Sequence, residues 1–429
     1  MSMPLMGLTG FLMTLLLIGL GFPVSVSMAV IGLIGIMLSG GWDQAAYVLS
    51  TAPFESIFPY SFSVIPLFVM MGVFAAHAGL SRSLFDLINA FVGHWRGGLA
   101  VSTVGASAVF GAICGSSLAT VATIGRVAMP EMRRFGYDDS LAAASVAAGG
   151  TLGVLIPPSI LLVIFGLLTQ TSIGALFMGA IVPGLLGTAL YALAVIIRVR
   201  RNPRLAPAGG RADWSRRLAL LGKVWPVALL FGVVIGGMQL GWFSPTEAAA
   251  VGAFGAFLLA LVMGGLNKQV LREIVRETAA LTGMIFLILI GAAFFNFFLE
   301  TTGLPMALSE MIGDSGLSPT VVMLLILLFY VVLGCFMDSM SMILLTVPLL
   351  APVAIALDFN MVWFGVLIVT VAEIGLITPP VGMNLFVVQA TAPGLRQETV
   401  IRGILPFIAA DVIRMALLLI FPWLVISSL

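Results

Sequence analysis

Charged side chains are scarce in this 429-residue chain: Asp, Glu, Lys and Arg together make up 9% of it, against about 25% in soluble domains. A chain of this length that is 61% hydrophobic cannot bury its apolar surface in one water-soluble core, which excludes a soluble enzyme. The net charge of +1 leaves no basic surface for DNA or RNA, which excludes a nucleic-acid-binding protein. The composition therefore predicts an all-α polytopic membrane protein.

Cysteine and histidine are almost absent, with two residues of each. Cys114 and Cys335 fall within apolar stretches, so no disulfide framework is expected. His77 and His94 flank an interfacial stretch, so neither is placed to act as the base for a serine nucleophile such as Ser107. The chain is therefore predicted not to be an enzyme, and an intramembrane serine protease is an alternative that lacks its base.

Long apolar stretches recur along the chain, and a bilayer core of roughly 30 Å needs about 20 apolar residues per helix. Charged and apolar residues mix in 80–96 and 267–278, as in interfacial helices. Two apolar stretches, 98–134 and 318–355, are interrupted at their centres by small polar residues. Full spans are predicted at 5–21, 24–40, 53–78, 140–170, 173–197, 219–242, 245–265, 279–300, 360–391 and 404–428.

Basic residues fall on one face of this arrangement. Of the 19 Lys and Arg residues, only Arg126 and Arg414 lie inside apolar segments. Because cytoplasmic loops collect Lys and Arg, the Arg-rich linker 198–223 is predicted to be cytoplasmic and both termini to face the periplasm. The loops predicted for the outer face contain no Lys or Arg, and they are 41–52, 241–246, 301–317 and 356–359.

Landmarks of the first half recur in the second half at one offset. Pro-Pro at 157–158 recurs at 379–380, an offset of 222 residues. The first interrupted stretch begins on the Arg-rich face and the second on the acidic face, so the two copies enter the membrane from opposite sides, as in secondary transporters with inverted repeats. The same offset relates Ser117 to Ser339, Pro130 to Pro352, Gly153 to Gly375, and 57–78 to 279–300.

This repeat divides the chain into five predicted regions. N-terminal scaffold helices occupy 1–52, and a cytoplasmic linker occupies 198–223. Scaffold helices and an interfacial arm occupy 224–278. The first inverted repeat is 53–197, with a hairpin at 98–134 and a broken helix at 140–170, and the second is 279–429, with a hairpin at 318–355 and a broken helix at 360–391.

Each double proline is predicted to break its helix, because proline cannot donate to the carbonyl four residues earlier. In hydrocarbon each orphaned carbonyl costs several kcal/mol unless something replaces the lost bond, and a dehydrated cation can do so. A continuous, kinked helix is the alternative. The prolines are Pro157, Pro158, Pro379 and Pro380, and the carbonyls are those of Gly153, Val154, Gly375 and Leu376.

Two sodium sites are predicted, one at each hairpin tip and the break that faces it, because oxygen ligands suit a hard cation. Asp338 corresponds to Ser116 in the repeat, so the second site carries a charge and binds its ion more tightly or couples to protons. The first set is Ser116, Ser117, Gly150, Thr151, Gly153 and Val154. The second set is Asp338, Ser339, Glu373, Gly375, Leu376 and Thr378.

An anionic substrate is expected beside these ions. Half-helices that begin near Ser159 and Val381 point their positive N-termini at the midplane, which favours a negatively charged group. No arginine lies at a tip or break, although Arg126 could reach the cavity. The candidate substrate-binding residues are Ser117, Thr120, Ser159, Thr378, Asn384 and Arg126.

Three weaker patterns have structural interpretations. Ser244, Pro245 and Glu247 form a helix start, with Ser244 as the cap, which we favour over ion binding. Asp411 and Arg414 are three residues apart on one helix and are expected to neutralise each other. The segments 80–96 and 267–278 are interpreted as arms related by the repeat.

At Gly149 to Ser159, Glu373 to Asn384, Ser244 to Ala249, and Asp338 with Pro348 and Pro352, the sequence resembles the large membrane subunit of tripartite ATP-independent periplasmic (TRAP) transporters. The resemblance covers nearly the whole chain. It implies an elevator-type ion transporter in a bacterial inner membrane, with two re-entrant hairpins in a mobile transport domain. It also implies uptake of an organic acid, such as a dicarboxylate, keto acid, sugar acid or sialic acid, driven by about two Na⁺ ions.

The same resemblance implies two partners. One is a soluble periplasmic substrate-binding protein, and the other is a small four-helix membrane subunit. Because no extra helices precede the first span, the small subunit is expected to be a separate chain. A stand-alone sodium/anion symporter of the divalent-anion type, which needs no binding protein, is the alternative function.

Overall fold

The computed structural model describes residues 2–263 and 266–427, and this part of the chain is helical throughout apart from turns and a single β-bridge between Arg96 and Ala208. The ends of the predicted spans 245–265 and 404–428, at 264, 265 and 428, lie outside the described residues. So do residues 1 and 429, which end the first and last predicted regions.

The first half contains nine α-helices, and a 3₁₀ turn at Tyr60–Ser63 precedes the third. They are α1 (Met3–Gly19), α2 (Val24–Glu55), α3 (Val64–His77), α4 (Leu80–Val92), α5 (Gly98–Cys114), α6 (Ser117–Arg134), α7 (Asp139–Leu155), α8 (Ile160–Thr169) and α9 (Ile173–Arg201).

The second half contains ten α-helices and follows a 3₁₀ turn at Pro203–Leu205. They are α10 (Trp214–Gln239), α11 (Pro245–Val262), α12 (Lys268–Thr302), α13 (Leu304–Asp314), α14 (Pro319–Gly334), α15 (Ser339–Ala356), α16 (Met361–Gly375), α17 (Met383–Thr391), α18 (Gln397–Ile420) and α19 (Trp423–Ile426).

Length and composition qualify eight of the described helical segments to cross a membrane, or nine if α7 and α8 count as one span bent by 42°. Four further apolar helices, α1, α5, α14 and α16, have 10–17 residues. Seventeen residues span about 25 Å at 1.5 Å per residue, less than a bilayer core. Two of the ten predicted full spans, 5–21 and 360–391, therefore contain no described helix that meets this length, and one helix that does, α15, belongs to a predicted hairpin.

Helices extend into three of the predicted loops. The predicted outer loop 41–52 is helical, since α2 continues to Glu55 after a kink at Gly41, where φ is +83°. The predicted loop 301–317 contains α13. The predicted linker 198–223 shrinks to the residues between Arg201 and Trp214, because α9 and α10 extend into it. Polar residues at these positions are compatible with helices that lie outside the hydrocarbon.

The two interfacial segments are not related by the repeat. Residues 267–278 form the beginning of α12, which runs on without a break because no glycine or proline interrupts 268–282. The counterpart of α4 is instead α13: each follows a left-handed glycine, Gly79 with φ +73° and Gly303 with φ +67°, after a span. A left-handed glycine ends one helix and turns the chain into the next.

Each interrupted stretch doubles back on itself. In the first, Thr103 Oγ1 near the start of α5 lies 3.9 Å from Met132 Sδ near the end of α6, and Leu99 N donates to Tyr137 Oη over 3.2 Å. In the second, the hydroxyls of Tyr330 and Thr346 join α14 to α15 by a hydrogen bond. Both stretches are therefore helical hairpins, with tips at 115–116 and 335–338.

Both double prolines lie between helices. The first helix ends at Leu155 and resumes at Ile160, and the second ends at Gly375 and resumes at Met383. The Pro157–Pro158 and Pro379–Pro380 bonds are cis. At both points the backbone leaves the helical bonding pattern, as a break requires. The carbonyls of Gly375 and Leu376, which were predicted to be orphaned, are not orphaned: they accept from Thr378 N and Asn384 N, each over 3.1 Å.

The two halves interlock rather than lying side by side. Asn384 Nδ2 at the start of α17 donates to the Ala147 carbonyl on α7 over 3.2 Å. Arg198 on α9 donates to the Gly403 carbonyl on α18 over 2.6 Å. The end of the second break is thus held by α7 of the first half, and α9 is joined to α18 across the two halves.

Candidate ion and substrate site

Both hairpin tips and both helix breaks open onto one cavity of about 290 Å³. The tips contribute Gly115–Ser117 and Asp338–Ser339. The breaks contribute Val154 and Ile160 on one side and Glu373, Leu376 and Met383 on the other. Helices α3 and α12 close the cavity with mainly apolar side chains, which are Val69, Gly72, Val73, Ala76, Leu281, Met284, Ile285 and Ile288.

Glu373 is the most enclosed acidic group of this cavity, with 1% of its surface exposed. Its Oε1 accepts a hydrogen bond of 2.7 Å from Ser339 Oγ, and the Ser117 hydroxyl faces the same carboxyl group. Its Oε2 has no hydrogen-bond partner among the described residues. Burial of a carboxylate with one unpaired oxygen costs free energy unless a cation or a proton binds to that oxygen.

Asp338 lies at the tip of the second hairpin and caps α15. Its Oδ2 accepts from Ser341 N over 3.0 Å and its Oδ1 accepts from Ser341 Oγ over 2.5 Å. Its carboxylate therefore has a structural role beside the ion-binding role that the sequence predicts. Each carboxylate oxygen can accept more than one bond, so capping leaves acceptor capacity for an ion.

The first tip repeats this arrangement without a charge. Ser116 caps α6, accepting from Ala119 N over 3.3 Å, and Ser117 lines the cavity. Val154, whose carbonyl was predicted to be orphaned, lies in the lining as well. The structure thus brings Ser116, Ser117 and Val154 together with the acidic residues of the second tip in one cavity, rather than in two separate ones.

Thr151 is buried beside the first break but points away from the cavity. Its hydroxyl donates to the Ala148 carbonyl over 2.7 Å and lies 3.2 Å from Tyr191 Oη. Tyr191 in turn donates to Asp411 Oδ2 over 2.6 Å, and Asp411 pairs with Arg414 over 2.7 Å. The predicted mutual neutralisation of Asp411 and Arg414 is confirmed, and Thr151 belongs to this network instead of the first ion site.

Four other predicted site residues lie outside the cavity lining. Thr120 and Thr378 donate to carbonyls of their own segments, Ser116 over 2.8 Å and Ile374 over 2.7 Å. Ser159 caps α8 and is fully buried. Asn384 joins the two halves, although its Oδ1 has no partner among the described residues.

One predicted substrate-binding residue, Arg126, lies away from the cavity. Its side chain is exposed on α6 and does not line the cavity, so it does not reach the site in this structure. The first two turns of α6 carry the tip, and Arg126 lies in the third, on the outward face. Gly150, Gly153 and Gly375 are buried in helix contacts around the breaks rather than in the lining.

Sequence reasoning missed Glu277. This residue of α12 also lines the cavity, and its Oε2 lies 3.9 Å from His77 Nε2 at the end of α3. Its position within a charged, amphipathic segment suggested only an interfacial helix. A signal was available: 222 residues separate 55 from 277, and Glu55 occupies the equivalent position in the first repeat.

The charges of the site favour a cation together with an anion. Three carboxyl groups, Glu277, Asp338 and Glu373, line the cavity, and no Lys, Arg or His is among the residues described as lining it. First-turn residues of four helices, α6, α8, α15 and α17, also line it. Helix N-termini carry partial positive charge and bind anionic groups.

The start of α11 confirms the structural interpretation of Ser244, Pro245 and Glu247 as a capped helix start. Ser244 accepts from Glu247 N over 3.3 Å, and Ser244 N donates to Glu247 Oε2 over 2.8 Å. This is a complete capping box. The side chains of Ser244 and Glu247 therefore find their hydrogen-bond partners in each other.

The fold is that of an all-helical, multi-pass membrane transporter. It is similar to the YdaH transporter of Alcanivorax borkumensis, with a TM-score of 0.61 and 17% identity, over 90% of each chain. Residues 11–424 match the family of the tripartite ATP-independent periplasmic transporter, DctM component, so the chain belongs to that family.

Two relatives illustrate the similarity. The C4-dicarboxylate TRAP transporter large permease protein DctM of Pseudomonas aeruginosa is 39% identical over 356 residues, which cover 83% of each chain. The sialic acid TRAP transporter large permease protein SiaM of Vibrio cholerae is 34% identical over 408 residues, or 94% of this chain and 93% of that one. These matches confirm the family resemblance and the prediction that the chain is a transport protein and not an enzyme.

Proposed function

We propose that this chain is the large permease of a sodium-coupled TRAP system that takes up an organic anion. The observation that carries the proposal is the single cavity in which three carboxyl groups meet four helix N-termini. Carboxylates, tip hydroxyls and backbone carbonyls beside the breaks, such as that of Val154, would hold about two Na⁺ ions. These ions, with the helix N-termini, would neutralise the carboxylate of the substrate.

The second tip is the stronger ion site. Ser339 Oγ donates to Glu373, and both line the cavity with Asp338, while the first tip offers only neutral oxygens from Ser116 and Ser117. At close range in a partly dehydrated site, a cation gains several kcal/mol from a carboxylate, which neutral oxygens do not supply. We therefore assign the tighter Na⁺ site to Asp338 and Glu373, with the weaker one at the first tip.

The substrate is an organic acid of the dicarboxylate, keto acid, sugar acid or sialic acid type. A C4-dicarboxylate and sialic acid are named for two of the relatives, and both substrates are anions. Of the candidate substrate-binding residues, Ser117 lines the cavity. The N-termini of α8 and α17 line the same cavity. No side-chain cation in the described lining competes with Na⁺ for the substrate carboxylate.

The hairpins and broken helices would form a mobile transport domain that carries ions and substrate across the membrane as an elevator. Helices α3 and α12 wall the cavity and belong to the fixed scaffold in this proposal. We place the chain in a bacterial inner membrane, with the linker cytoplasmic and both termini periplasmic. A periplasmic binding protein would deliver the substrate, and a small four-helix membrane subunit would complete the permease.

Asp338→Asn provides the sharpest test, because asparagine caps helices as well as aspartate does and the substitution removes only the charge. Uptake of labelled organic acids is measured in proteoliposomes with the small subunit and binding protein, under a sodium, potassium or proton gradient. We expect sodium-dependent uptake that Asp338→Asn and Asp338→Ala abolish, while Glu310→Gln, on the exposed surface of α13, leaves it intact.

Two results would contradict the proposal. If a proton gradient drives uptake equally well without Na⁺, then Na⁺ is not the coupling ion. If Asp338→Asn leaves uptake unchanged, then Asp338 is not part of the sodium site. Uptake that needs no binding protein would favour the stand-alone symporter. Insertion of every variant is checked by its yield in the membrane fraction.

A further inference from the structure

Each hairpin touches its broken helix through a pair of glycines. A Cβ atom built on Gly111 of α5 would lie 2.5 Å from the Cα of Gly153 on α7, and one built on Gly153 would lie 2.1 Å from the Cα of Gly111. In the second half, a Cβ on Gly334 of α14 would lie 2.7 Å from the Cα of Gly375 on α16. The two backbones are therefore in direct contact at both places.

These contacts occupy equivalent positions beside the two tips. Gly153 and Gly375 are related by the repeat offset of 222 residues, and Gly111 and Gly334 by 223. Gly111 precedes Gly115 of the first tip by one turn, and Gly334 precedes Asp338 of the second tip by one turn. Gly153 and Gly375 lie in the last turn before each break. Both repeats therefore contain the same glycine–glycine contact between the hairpin and the broken helix.

A side chain at either contact cannot be accommodated by a rotamer change, because the nearest atom that it would meet is a backbone Cα atom. The hairpin helix would have to move away from the broken helix, and the tip would move with it. In the second half this would separate Asp338 and Ser339 from Glu373, whose contact with Ser339 Oγ is 2.7 Å. Protein interiors are packed too densely to absorb such a shift elsewhere.

We propose that Gly111 and Gly334 are positioning residues that fix each hairpin tip against its broken helix and so set the affinity of the two cation sites. This inference rests on the proposed sodium-coupled function. The glycines contact no ion or substrate themselves. They make the hairpin and the broken helix of each repeat one rigid unit, so that ligand oxygens from two separate chain segments keep a fixed spacing.

Sodium dependence of uptake tests this inference. We measure the Na⁺ concentration for half-maximal uptake and the maximal rate for Gly334→Ala and Gly111→Ala in proteoliposomes. We expect the half-saturating Na⁺ concentration to rise about tenfold or more, the size typical of losing an outer-shell partner of a metal ligand. Gly236→Ala in α10 and Gly283→Ala in α12 are matched controls, since neither Cβ would have a heavy atom within 4 Å.

A merely structural role predicts a different result. If the variants lower the maximal rate or the unfolding temperature without Na⁺ but keep the wild-type half-saturating concentration, the inference is wrong. If wild-type uptake does not depend on Na⁺ at all, the proposed function fails instead. Should Gly111→Ala not reach the membrane, Gly72→Ala replaces it, because its Cβ would lie 3.0 Å from the Cα of Cys114 at the first tip and displaces that tip less.

Discussion

At the scale of single residues, Asp411 and Arg414 form the one ion pair among the described residues in which both side chains are buried. Their side chains are 0% and 1% exposed, and the ions lie 2.7 Å apart. Tyr191 donates to Asp411, and Arg414 Nη1 packs against the space that a Cβ on Gly187 would fill. The network joins α7, α9 and α18, so it fixes helices from both halves.

We predict that Arg414→Leu destabilises the protein by about 3–5 kcal/mol, because it leaves a buried carboxylate without its counter-charge. The double variant Asp411→Leu/Arg414→Leu should recover most of that loss, since apolar residues replace both charges. Thermal unfolding in detergent measures both effects. A single variant as stable as the wild type, or a double variant less stable than the single one, would show that the pair is not the dominant interaction there.

The sequence could not predict where individual threonine hydroxyl groups point. Thr120, Thr151 and Thr378 all lie in the predicted stretches, but their hydroxyls bond to nearby helix carbonyls. A threonine in a helix can always satisfy itself in this way, and only the packing of its neighbours decides. Asp338 and Glu373 could be predicted because charge inside an apolar segment needs partners wherever it points. Ser339 followed from the repeat offset that relates it to Ser117.

At the scale of helices, interruptions could be predicted better than ends. Both double-proline breaks follow from the missing N–H groups and lie where the sequence puts them, between Leu155 and Ile160 and between Gly375 and Met383. The polar ends were missed, as for α2 and α13, because hydropathy marks where a helix leaves the hydrocarbon and not where it stops. The continuous α12 was missed for the same reason.

Removing the second break tests whether it serves ion binding. In Pro379→Ala/Pro380→Ala the chain regains two N–H donors, so α16 can extend toward α17. The Gly375 and Leu376 carbonyls, which accept from Thr378 N and Asn384 N across the break, would then be bonded along the helix and lost to Na⁺. We expect sodium-dependent uptake to fall strongly with the protein still inserted. Pro406→Ala is the matched control, because Pro406 lies inside the uninterrupted α18. Equal uptake by the double variant and the control would show that the break is not needed for transport.

At the scale of the whole molecule, the repeat offset predicted which segments meet but not how the halves interlock. The offset links each hairpin to the break of its own half, and both pairs then open onto one shared cavity. The cross-contacts from Asn384 to Ala147 and from Arg198 to Gly403 join residues 237 and 205 positions apart. Such long-range contacts depend on the packing of complete helices, which a single sequence does not encode in any local pattern.

Orientation in the membrane is the property of the whole molecule that the charge pattern predicts most directly. The predicted linker 198–223 carries seven of the 17 arginines and no other predicted loop carries as many, while α13 carries Glu310 and Asp314 and no basic residue. Gly210 of the linker and Gly313 of α13 are exposed, and a Cβ on either would meet no heavy atom within 4 Å. Both positions can therefore carry a cysteine without disturbing the fold.

We predict that, after replacement of the native Cys114 and Cys335 by alanine, a membrane-impermeant maleimide labels Gly313→Cys in intact spheroplasts. Gly210→Cys should be labelled only after the membrane is permeabilised or inverted, because positively charged loops stay in the cytoplasm. Permeabilised cells, in which both variants are labelled, provide the control for reactivity. Labelling of Gly210→Cys in intact spheroplasts would reverse the orientation, and with it the direction in which the cavity must carry its ions and substrate.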